Sequence, residues 1–443
     1  GPESESGREA LQMVHQSLAG MSRGGIHDHI GGGFHRYAVD DEWRVPHFEK
    51  MLYDQAQIAG NFIEAFSFSR DERFAAIASH LFAYLNRDLR HPEGAFFSAE
   101  DADSFLLDAG ESKREGAYYL WHYNDLKAVV GDQLDWFLPL FGIREEGNIS
   151  EKLDPQGEMK GRNVLHQARS IGEVASTVGL PVEILADRLE ELLEALRLRR
   201  ENRPRPHRDE KIVTAWNGLM IGSLSRASVC GAVSLRECSD HYREMAETAA
   251  AFVRRYLWNA EDQTLSRTWR EGKRSGAGLA EDYAGMIHGL LELYDATFAI
   301  EWLKWADELQ TAMDLQFWDE VGGGYFQGLR SDPSIVLQLK DDYDGAEPSA
   351  NSLAATNLFR LAALLHDEAR HARAMKTLQA FRHIWTETPW ALPAMLGAVE
   401  WSLAVSRHVL ILGESRDPEF QRMVEVARDR RVGRRVTLAV GES

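Results

Sequence analysis

The sequence feature that most constrains the fold is a junction that recurs between apolar helical segments. Each copy joins the end of a predicted helix to an aromatic residue, an acid or amide, a turn and a short extended piece. Residues 89–97 and 317–326 are the clearest copies, and residues 257–266 form a weaker third one. Self-similarity of this kind is typical of repeat architectures, in which each helical hairpin buries its apolar stripe against its neighbours. The chain is therefore predicted to build one core from related hairpins.

Helix is the main element predicted between these junctions, because apolar residues recur at helical spacing over several turns. The predicted helices cover residues 10–20, 51–68, 73–89, 182–198, 216–229, 241–257, 281–298, 302–317, 352–365, 370–385 and 392–405. Helices of this length with short connections pack as antiparallel hairpins, and about six hairpins close into a ring. The predicted fold of residues 1–406 is all-α, an (α/α)6 toroid or six-hairpin barrel.

The end of the chain has a different pattern. Apolar runs at residues 407–413 and 435–440 predict two buried strands, and residues 417–428 predict a helix between them. The glycines of this segment do not match a dinucleotide-binding fingerprint. We therefore expect residues 407–443 to form a small βαβ appendage with a structural role.

Charge and apolar content argue against two classes of partner. The formal net charge of -19 disfavours binding to phosphate backbones, which requires a basic face. The local basic stretch at residues 197–208 is interrupted by prolines and is predicted to be a solvated connector. No apolar run is long enough to span a bilayer, and no signal segment opens the sequence. We expect no nucleic-acid partner and no membrane association.

Two further features concern the origin of the chain. Gly1 and Pro2 look like the remnant of a cleaved tag, so the chain is expected to be a fragment of a longer protein. Cys230 and Cys238 are too few for a disulfide scaffold and lack metal-ligand spacing. Free thiols favour a reducing compartment, and a cytoplasmic location is predicted.

Residues 24–37 and 45–54 contain the densest group of chemically active side chains. Four histidines occur there among many glycines, which let a loop approach a ligand closely. Histidine is suited to proton transfer near neutral pH and is also a common metal ligand. No helical His-x-x-x-His spacing and no cysteine pair fixes a metal geometry, so no metal is predicted. For any one of these histidines, a hydrogen-bonded position in the loop or core is an equal alternative.

Acidic residues follow a junction or precede helices elsewhere. Asp101 and Asp103 come directly after the first junction, and Asp282, Asp344 and Glu347 lie near predicted helix starts. In a toroid, helix starts of alternate parity point to the same rim, so these distant acids are expected to converge. Capping of helix N-termini is the alternative for each of them.

The chain contains 12 tryptophans, an unusual number for its length. Tryptophans on loops are candidates for stacking against a sugar ring, whereas those at helical spacing are expected in the core. The loop group consists of Trp43, Trp121 and Trp216, and the core group consists of Trp302, Trp305 and Trp401. The composition favours a carbohydrate ligand.

Several of these motifs together resemble a known family. The runs at residues 24–37, 45–54, 98–104, 214–220 and 344–352 closely resemble the YyaL-type family, which includes a spermatogenesis-associated protein of animals. The motifs span nearly the whole chain. Two departures are Ala350, where the family usually has glycine, and an end soon after the βαβ segment, where relatives tend to continue.

The resemblance implies a thioredoxin-like domain joined to an (α/α)6 barrel similar to N-acylglucosamine 2-epimerases and several glycoside hydrolases. This sequence contains only the barrel part. The implied partners are therefore a sugar or oligosaccharide and, in the full-length protein, the thioredoxin-like domain. Fold alone does not select one chemistry, because toroids host several.

Three functions are compatible with these residues. The favoured one is a sugar isomerase or epimerase, in which His47 or another loop histidine removes a proton beside the carbonyl carbon and an acid returns it. The alternatives are glycoside hydrolysis by two carboxylates and a non-catalytic sugar-binding or docking module for the thioredoxin-like domain. The predicted catalytic residues are His47, Glu49, Asp101, Asp282 and Asp344. The predicted substrate-binding residues are His29, His35, Arg36, Trp43, Asp54, Asp103, Trp216, Asn217, Tyr283, Glu347 and Asn351. No metal or other cofactor is predicted.

Overall fold

The computed structural model describes residues 4–106, 112–155, 157–403, 407–414, 417–427 and 435–442. Its helices are α1 (Glu5–Arg23), α2 (Leu52–Ser69), α3 (Glu72–Tyr84), α4 (Tyr123–Val130), α5 (Leu134–Phe141), α6 (Ile171–Val178), α7 (Val182–Arg200), α8 (Thr214–Ser228), α9 (Val233–Arg236), α10 (Ser239–Tyr256), α11 (Ala280–Thr297), α12 (Ile300–Phe317), α13 (Ala350–Leu365), α14 (Glu368–Ala380), α15 (Arg382–Glu387), α16 (Pro393–Leu403) and α17 (Pro418–Ala427). None of these described helices combines the length and the apolar content needed to cross a membrane.

The strands are mostly short. They are β1 (Tyr37–Ala38), β2 (Pro46–His47), β3 (Lys50–Met51), β4 (Ala99–Glu100), β5 (Asp103–Phe105), β6 (Lys113–Glu115), β7 (Arg208–Asp209), β8 (Ile212–Val213), β9 (Trp258–Asn259), β10 (Thr264–Arg270), β11 (Lys273–Ala277), β12 (Arg407–Glu414) and β13 (Arg435–Glu442). Antiparallel pairing joins β1 with β2, β4 with β3 and β7, β5 with β6, and β10 with β8, β9 and β11. β12 and β13 pair in parallel, with α17 between them in the chain, so the predicted βαβ segment is present.

The predicted helices correspond to helices of the structure, with differences at their ends. The stretch predicted as one helix over residues 370–385 breaks at Phe381 into α14 and α15. The pattern missed α4, α5 and α6, because eight residues are too few for a clear period. The predicted helix ends at residues 404–405 and 428 lie outside the described residues.

The chain divides into two compact units. The first consists of Gly1–Met51, Ile77–Leu89 and Ala99–Asp209, and the second of Leu52–Ala76, Arg90–Ser98 and Glu210–Ser443. In the first unit, α4 to α7 surround a core that includes Trp121, Trp136 and Phe137. Trp121 is fully buried with Arg203 over its ring at 3.9 Å, so its predicted role on a sugar-binding loop is wrong.

In the second unit, α8 and α11 pack backbone against backbone. A Cβ atom placed on Gly218 would lie 2.4 Å from the Gly285 carbonyl carbon, and one on Gly289 would lie 2.2 Å from the Gly218 carbonyl oxygen. Glycine is therefore required at this crossing. The helices run parallel, since Ala215 near the start of α8 contacts Asp282 near the start of α11. Their first turns consequently lie side by side.

All three copies of the predicted junction form the same small bridge. Residue pairs 90 and 96, 258 and 265, and 318 and 325 are antiparallel partners. A side chain from a following helix fastens each copy. Asn217 binds the backbone N–H and carbonyl of Phe96, Asn351 binds those of Tyr325, and Tyr283 accepts the N–H of Leu265. The predicted repeat is therefore confirmed.

A glycine-rich turn in the first unit is held by an ion pair. Asp28 Oδ1 accepts two backbone N–H groups of the turn. Lys50 Nζ donates to Asp28 Oδ2 at 2.9 Å and to the Gly32 carbonyl at 2.8 Å. The Arg200 guanidinium binds both oxygens of Asp28, at 2.8 and 2.9 Å. The buried carboxylate of Asp28 thus forms ion pairs with two buried cations, Lys50 and Arg200.

The second unit contains a related turn. Asp319 Oδ1 accepts two backbone N–H groups, and Lys340 Nζ donates to Asp319 Oδ2 at 2.7 Å and to the Gly323 carbonyl at 2.6 Å. Both turns read Asp-x-x-Gly-Gly-Gly followed by an aromatic residue, with Lys-x-x-Tyr-Asp farther along the chain. The second ion pair is partly exposed, whereas the first is buried.

Candidate functional site

A hydrogen-bonded histidine and glutamate form the centre of the candidate site in the first unit. The His47 Nδ1 atom lies 2.6 Å from Glu115 Oε1, and the ring stacks on Tyr37 with centroids 4.9 Å apart. A carboxylate can only accept a hydrogen bond, so a neutral His47 that donates from Nδ1 to Glu115 would have its lone pair on Nε2. Both side chains are partly exposed. The arrangement suits His47 as a proton acceptor.

Glu49 lies on the other side of the His47 ring. Its Oε2 atom is 3.8 Å from His47 Nε2 and accepts a 2.9 Å hydrogen bond from Arg36 Nη1. Asp103 faces Glu115 across the β5–β6 pair. Burial, and then the charges of Asp101 and Glu115, raise the pKa of Asp103. Negative charge therefore predominates around the imidazole.

The structure places Asp101 and Trp43 in the loops of this unit. Asp101 donates its N–H to the His207 carbonyl, and its Oδ1 accepts the N–H of Asp103 at 3.3 Å. Trp43 has a positive φ of 62°, and its carbonyl accepts the N–H of Ile26 at 3.1 Å. Both residues thus take part in hydrogen bonds that hold loop backbone in place.

Two predicted ligand-binding histidines are hydrogen-bonded to backbone carbonyls instead. His29 Nε2 bonds the Gly24 carbonyl at 2.9 Å, and His35 Nδ1 bonds the Phe48 carbonyl at 2.9 Å. Burial lowers the pKa of His29 to about 4, and burial with the nearby Lys50 charge lowers that of His35 to about 3. Both imidazoles are therefore neutral at pH 7, and we leave them out of the proposed site.

The predicted solvated connector at residues 197–208 is also wrong. Arg200 is buried against Asp28, Arg203 donates to two backbone carbonyls, and Arg205 binds Asp88 at 2.7 Å. Guanidinium groups can bind carboxylates and carbonyls in fixed geometry, which allows such burial. Arg200, Arg205 and Lys50 line a small, partly open polar space in this unit.

A tryptophan and a glutamate form a second group, in the second unit. Trp216 lies in the first turn of α8, and the ring of Tyr53 meets it edge-on with centroids 4.9 Å apart. The Trp216 indole N–H bonds the carboxyl of Glu347, and burial raises the pKa of that carboxyl to about 7. Gln57 donates to the Ala346 carbonyl at 2.7 Å and so fixes the loop that carries Glu347.

Arg267 on β10 links the acidic residues of this group. It lies 2.5 Å from Glu281 Oε1 and 3.3 Å from Asp282 Oδ2. Asp282 is fully buried, and its oxygens also accept the N–H groups of Ala215 and Leu279. Burial raises the pKa of Asp282 to about 7, against the opposing charge of Arg267. Asp282 therefore anchors Arg267 and two helix starts.

Five other predicted residues bond to the backbone or lie at a helix start. Asn217, Tyr283 and Asn351 fasten the junctions, and the two asparagines are fully buried. Asp344 accepts the N–H groups of two residues, at 2.8 Å each, and joins two loops. Asp54 lies in the first turn of α2. The buried carboxyl and amide groups hold loops in place. For Asp344 this role agrees with the alternative of helix capping rather than ligand binding.

The structure thus brings the predicted residues together in two groups. His47, Glu49 and Arg36 are close in the first unit, and Trp216 and Glu347 are close in the second. The convergence of both groups at the same rim of the toroid stays a prediction. Glu115 and Arg267 are site residues that were not predicted. Glu115 ends an exposed-looking Lys-Arg-Glu run, and only the β5–β6 pairing places it beside His47.

Comparison with known proteins identifies the family. The chain is 38% identical over 440 residues to spermatogenesis-associated protein 20 of Homo sapiens and 36% identical over 440 residues to that of Mus musculus, covering 95% of this chain in each case. The chain belongs to this family. It spans 55% of the length of each of these relatives. No protein-family model matches the chain.

A solved structure shares the fold. A sugar epimerase from a ruminal bacterium matches with a TM-score of 0.50 at 9% identity, over 86% of this chain and 72% of that one. Identity this low shows the fold alone. The likeness confirms the predicted class, an all-α (α/α)6 toroid to which a pair of C-terminal strands is appended.

Proposed function

We propose that the chain is a carbohydrate-active enzyme of the sugar isomerase or epimerase type, with His47 as its base. The observation that carries this proposal is the 2.6 Å hydrogen bond between His47 Nδ1 and Glu115 Oε1. A carboxylate bound to one nitrogen of an imidazole fixes the ring and stabilises the imidazolium that forms when the other nitrogen takes a proton. The shared fold of a sugar epimerase supports the substrate class.

In the proposed reaction, His47 Nε2 removes the proton from the carbon beside the sugar carbonyl. The electron pair of the C–H bond moves into an enediolate, and a proton returned to either carbon or face completes isomerisation or epimerisation. No oxidant or reductant is required. Glu49, 3.8 Å from Nε2, lies where it can exchange the proton that His47 has taken. General base catalysis of this kind contributes a rate factor of roughly 10² to 10⁴.

The test measures exchange of the proton beside the carbonyl in D₂O by NMR. The sugars are glucose, mannose, fructose, N-acetylglucosamine, N-acetylmannosamine and cellobiose. His47→Gln is expected to lower the exchange rate at least roughly 100-fold and Glu115→Gln by a smaller factor. His122→Gln, which alters an exposed loop histidine of the same unit, is the matched control. Equal exchange by wild type and His47→Gln would remove His47 from the mechanism.

A second candidate function, glycoside hydrolysis, is favoured by Glu347 and Glu281. Glu347 has a pKa of about 7 and so is partly protonated at neutral pH, as a general acid must be. Glu281 is paired with Arg267 and would act as the ionised partner. Hydrolysis requires a protonated carboxyl group and an ionised carboxylate that flank the glycosidic bond.

Release of reducing ends from oligosaccharides distinguishes hydrolysis from isomerisation. If hydrolysis is the reaction, Glu347→Gln abolishes the release of reducing ends. The rate of sugar proton exchange does not change in this variant. If isomerisation is the reaction, the wild type exchanges the sugar proton and releases no reducing ends. Saturable sugar binding with neither reaction would favour a binding or docking module instead.

A further inference from the structure

Two large aromatic side chains are exposed on loops of the second unit. Tyr343 is 63% exposed and Trp390 is 74% exposed. Exposure of a large aromatic ring gives up the stabilisation that burial would supply. Single exposed apolar residues are common, but two aromatic rings on adjoining loops are typical of a surface that receives a ligand.

Asp344 makes the two loops adjoin. Its N–H donates to the Ala391 carbonyl at 2.7 Å, and its Oδ2 accepts the N–H of Ala394 at 2.8 Å. Its Oδ1 accepts the N–H of Ser349 at 2.8 Å, so the carboxylate also closes its own loop. Tyr343 directly precedes Asp344, and Trp390 directly precedes Ala391. Both rings are consequently mounted on backbone segments that are hydrogen-bonded to each other.

The loop that carries Tyr343 is linked to the Trp216 group at both of its ends. Glu347 bonds the Trp216 indole, as described above. At the other end, Asp341 bonds Gln327, whose carbonyl accepts the N–H of Ala280 at the start of α11. Tyr343 therefore lies in the chain between Asp341 and Glu347, and each of these two residues is linked to the Trp216 group.

We infer that Tyr343 and Trp390 form an outer subsite that stacks against a further residue of an oligosaccharide bound at Trp216 and Glu347. The inference rests on the proposed carbohydrate function and concerns the group of residues in the second unit. Aromatic faces fit the apolar face of a pyranose, and the neighbouring carboxylates of Asp341 and Asp342 can accept hydrogen bonds from its hydroxyl groups. This combination of rings and acceptors favours a sugar over an apolar protein surface. The substrate class is thus an oligosaccharide.

Calorimetric binding tests the inference. The probes are cellotetraose, maltotetraose and α-1,6-mannotetraose, with glucose and mannose as the single-residue references. The wild type is expected to bind at least one tetrasaccharide about tenfold more tightly than its monosaccharide, a difference of about 1.4 kcal/mol. Trp390→Ala and Tyr343→Ala should each remove most of that gain and leave monosaccharide affinity unchanged.

Two controls separate stacking from a loss of structure. Trp390→Phe keeps an aromatic face and should retain most of the tetrasaccharide affinity. Leu315→Ala removes an aliphatic side chain of the same unit that is 71% exposed, and should have no effect. Melting temperatures of all variants should match the wild type, because both aromatic rings are exposed.

Several results would overturn the inference. Tetrasaccharide binding no tighter than monosaccharide binding, or unchanged tetrasaccharide affinity in both alanine variants, would refute the outer subsite. If the wild type still exchanges the monosaccharide proton, the proposed function survives that failure. An absence of both binding and turnover with every sugar would refute both. A change of self-association in the alanine variants, with saccharide affinity intact, would assign the rings to protein contact and also refute the inference.

Discussion

Lys50 donates a 2.9 Å hydrogen bond to Asp28 in a part of the first unit where both side chains are almost completely buried. Arg200 shares the same carboxylate. Asp28→Asn would leave two buried cations without an anionic partner and should lower the free energy of unfolding by about 3 to 5 kcal/mol. Urea denaturation measures the change.

The related pair in the second unit provides the control for this variant. Asp319→Asn removes a partly exposed partner of Lys340, so a loss of about 1 kcal/mol is expected because solvent screens the charges. Similar losses in the two variants would show that burial does not distinguish the two turns.

Gly289→Ala should destabilise the second unit strongly. The new Cβ would lie 2.2 Å from the Gly218 carbonyl oxygen, so α8 and α11 must separate. We expect a loss of about 3 kcal/mol or more, since overpacking of this kind moves backbone. Thermal unfolding measures it. Gly172→Ala in α6, where no atom lies within 4 Å, should stabilise the protein by up to about 1 kcal/mol. A neutral Gly289→Ala would contradict the close helix contact.

Acid should weaken the first unit through His29. Burial lowers its pKa to about 4 in the folded protein, whereas a histidine in an unfolded chain has a pKa of about 6.5. The unfolded chain therefore binds a proton first as pH falls, and stability decreases between about pH 6.5 and pH 4. The contribution lost between pH 7 and pH 4.5 is roughly 2 to 3 kcal/mol.

The measurement is urea denaturation of wild type and His29→Gln at pH 7 and pH 4.5. The variant should show a pH dependence smaller by roughly 2 to 3 kcal/mol, even if it is less stable at both pH values. His35 contributes equally to the two proteins, whereas the charge of His29 itself lowers the pKa of His27, so the difference includes this coupling. An unchanged pH dependence would mean that His29 is accessible to protons in the folded state.

Trp216 should report the ionisation of Glu347. The indole N–H bonds this carboxyl, whose pKa burial raises to about 7, so the carboxyl gains a negative charge as pH rises through neutrality. The difference in emission between wild type and Trp216→Phe is expected to change with a midpoint near pH 7. Glu347→Gln should abolish the change. A midpoint near pH 4.5, in contrast, would mean that the carboxyl is well hydrated.

Sequence periodicity was sufficient for most of the helical framework and for the βαβ segment. The segment Val182–Arg200 illustrates why, since apolar residues at helical spacing report both the element and its buried face. The three junctions were also predictable, because each has the same order of residue types. Short helices such as Ile171–Val178 were missed, because one face of two turns contains too few apolar residues.

The candidate site was less predictable than the fold. Histidines in a glycine-rich loop look alike in sequence, yet His47 is partly exposed beside Glu115 whereas His35 is buried under Phe48. His47 lies on β2, whereas His35 lies outside the strands, so the difference depends on long-range backbone pairing. Asn217 has the composition of a ligand-binding residue, but its amide is used entirely by backbone groups. Long-range pairing of this kind leaves no local signal.

The contact between Gly218 and Gly289 has a consequence for how this scaffold can diversify. Where two helices contact each other through their main chains, no side chain separates them. Substitution of side chains therefore cannot increase the distance between the helices in small steps. Trp216 and Asp282 inherit a nearly constant separation from that crossing. New ligand preferences must then arise in the connecting segments, where insertion and substitution leave the helix pair undisturbed.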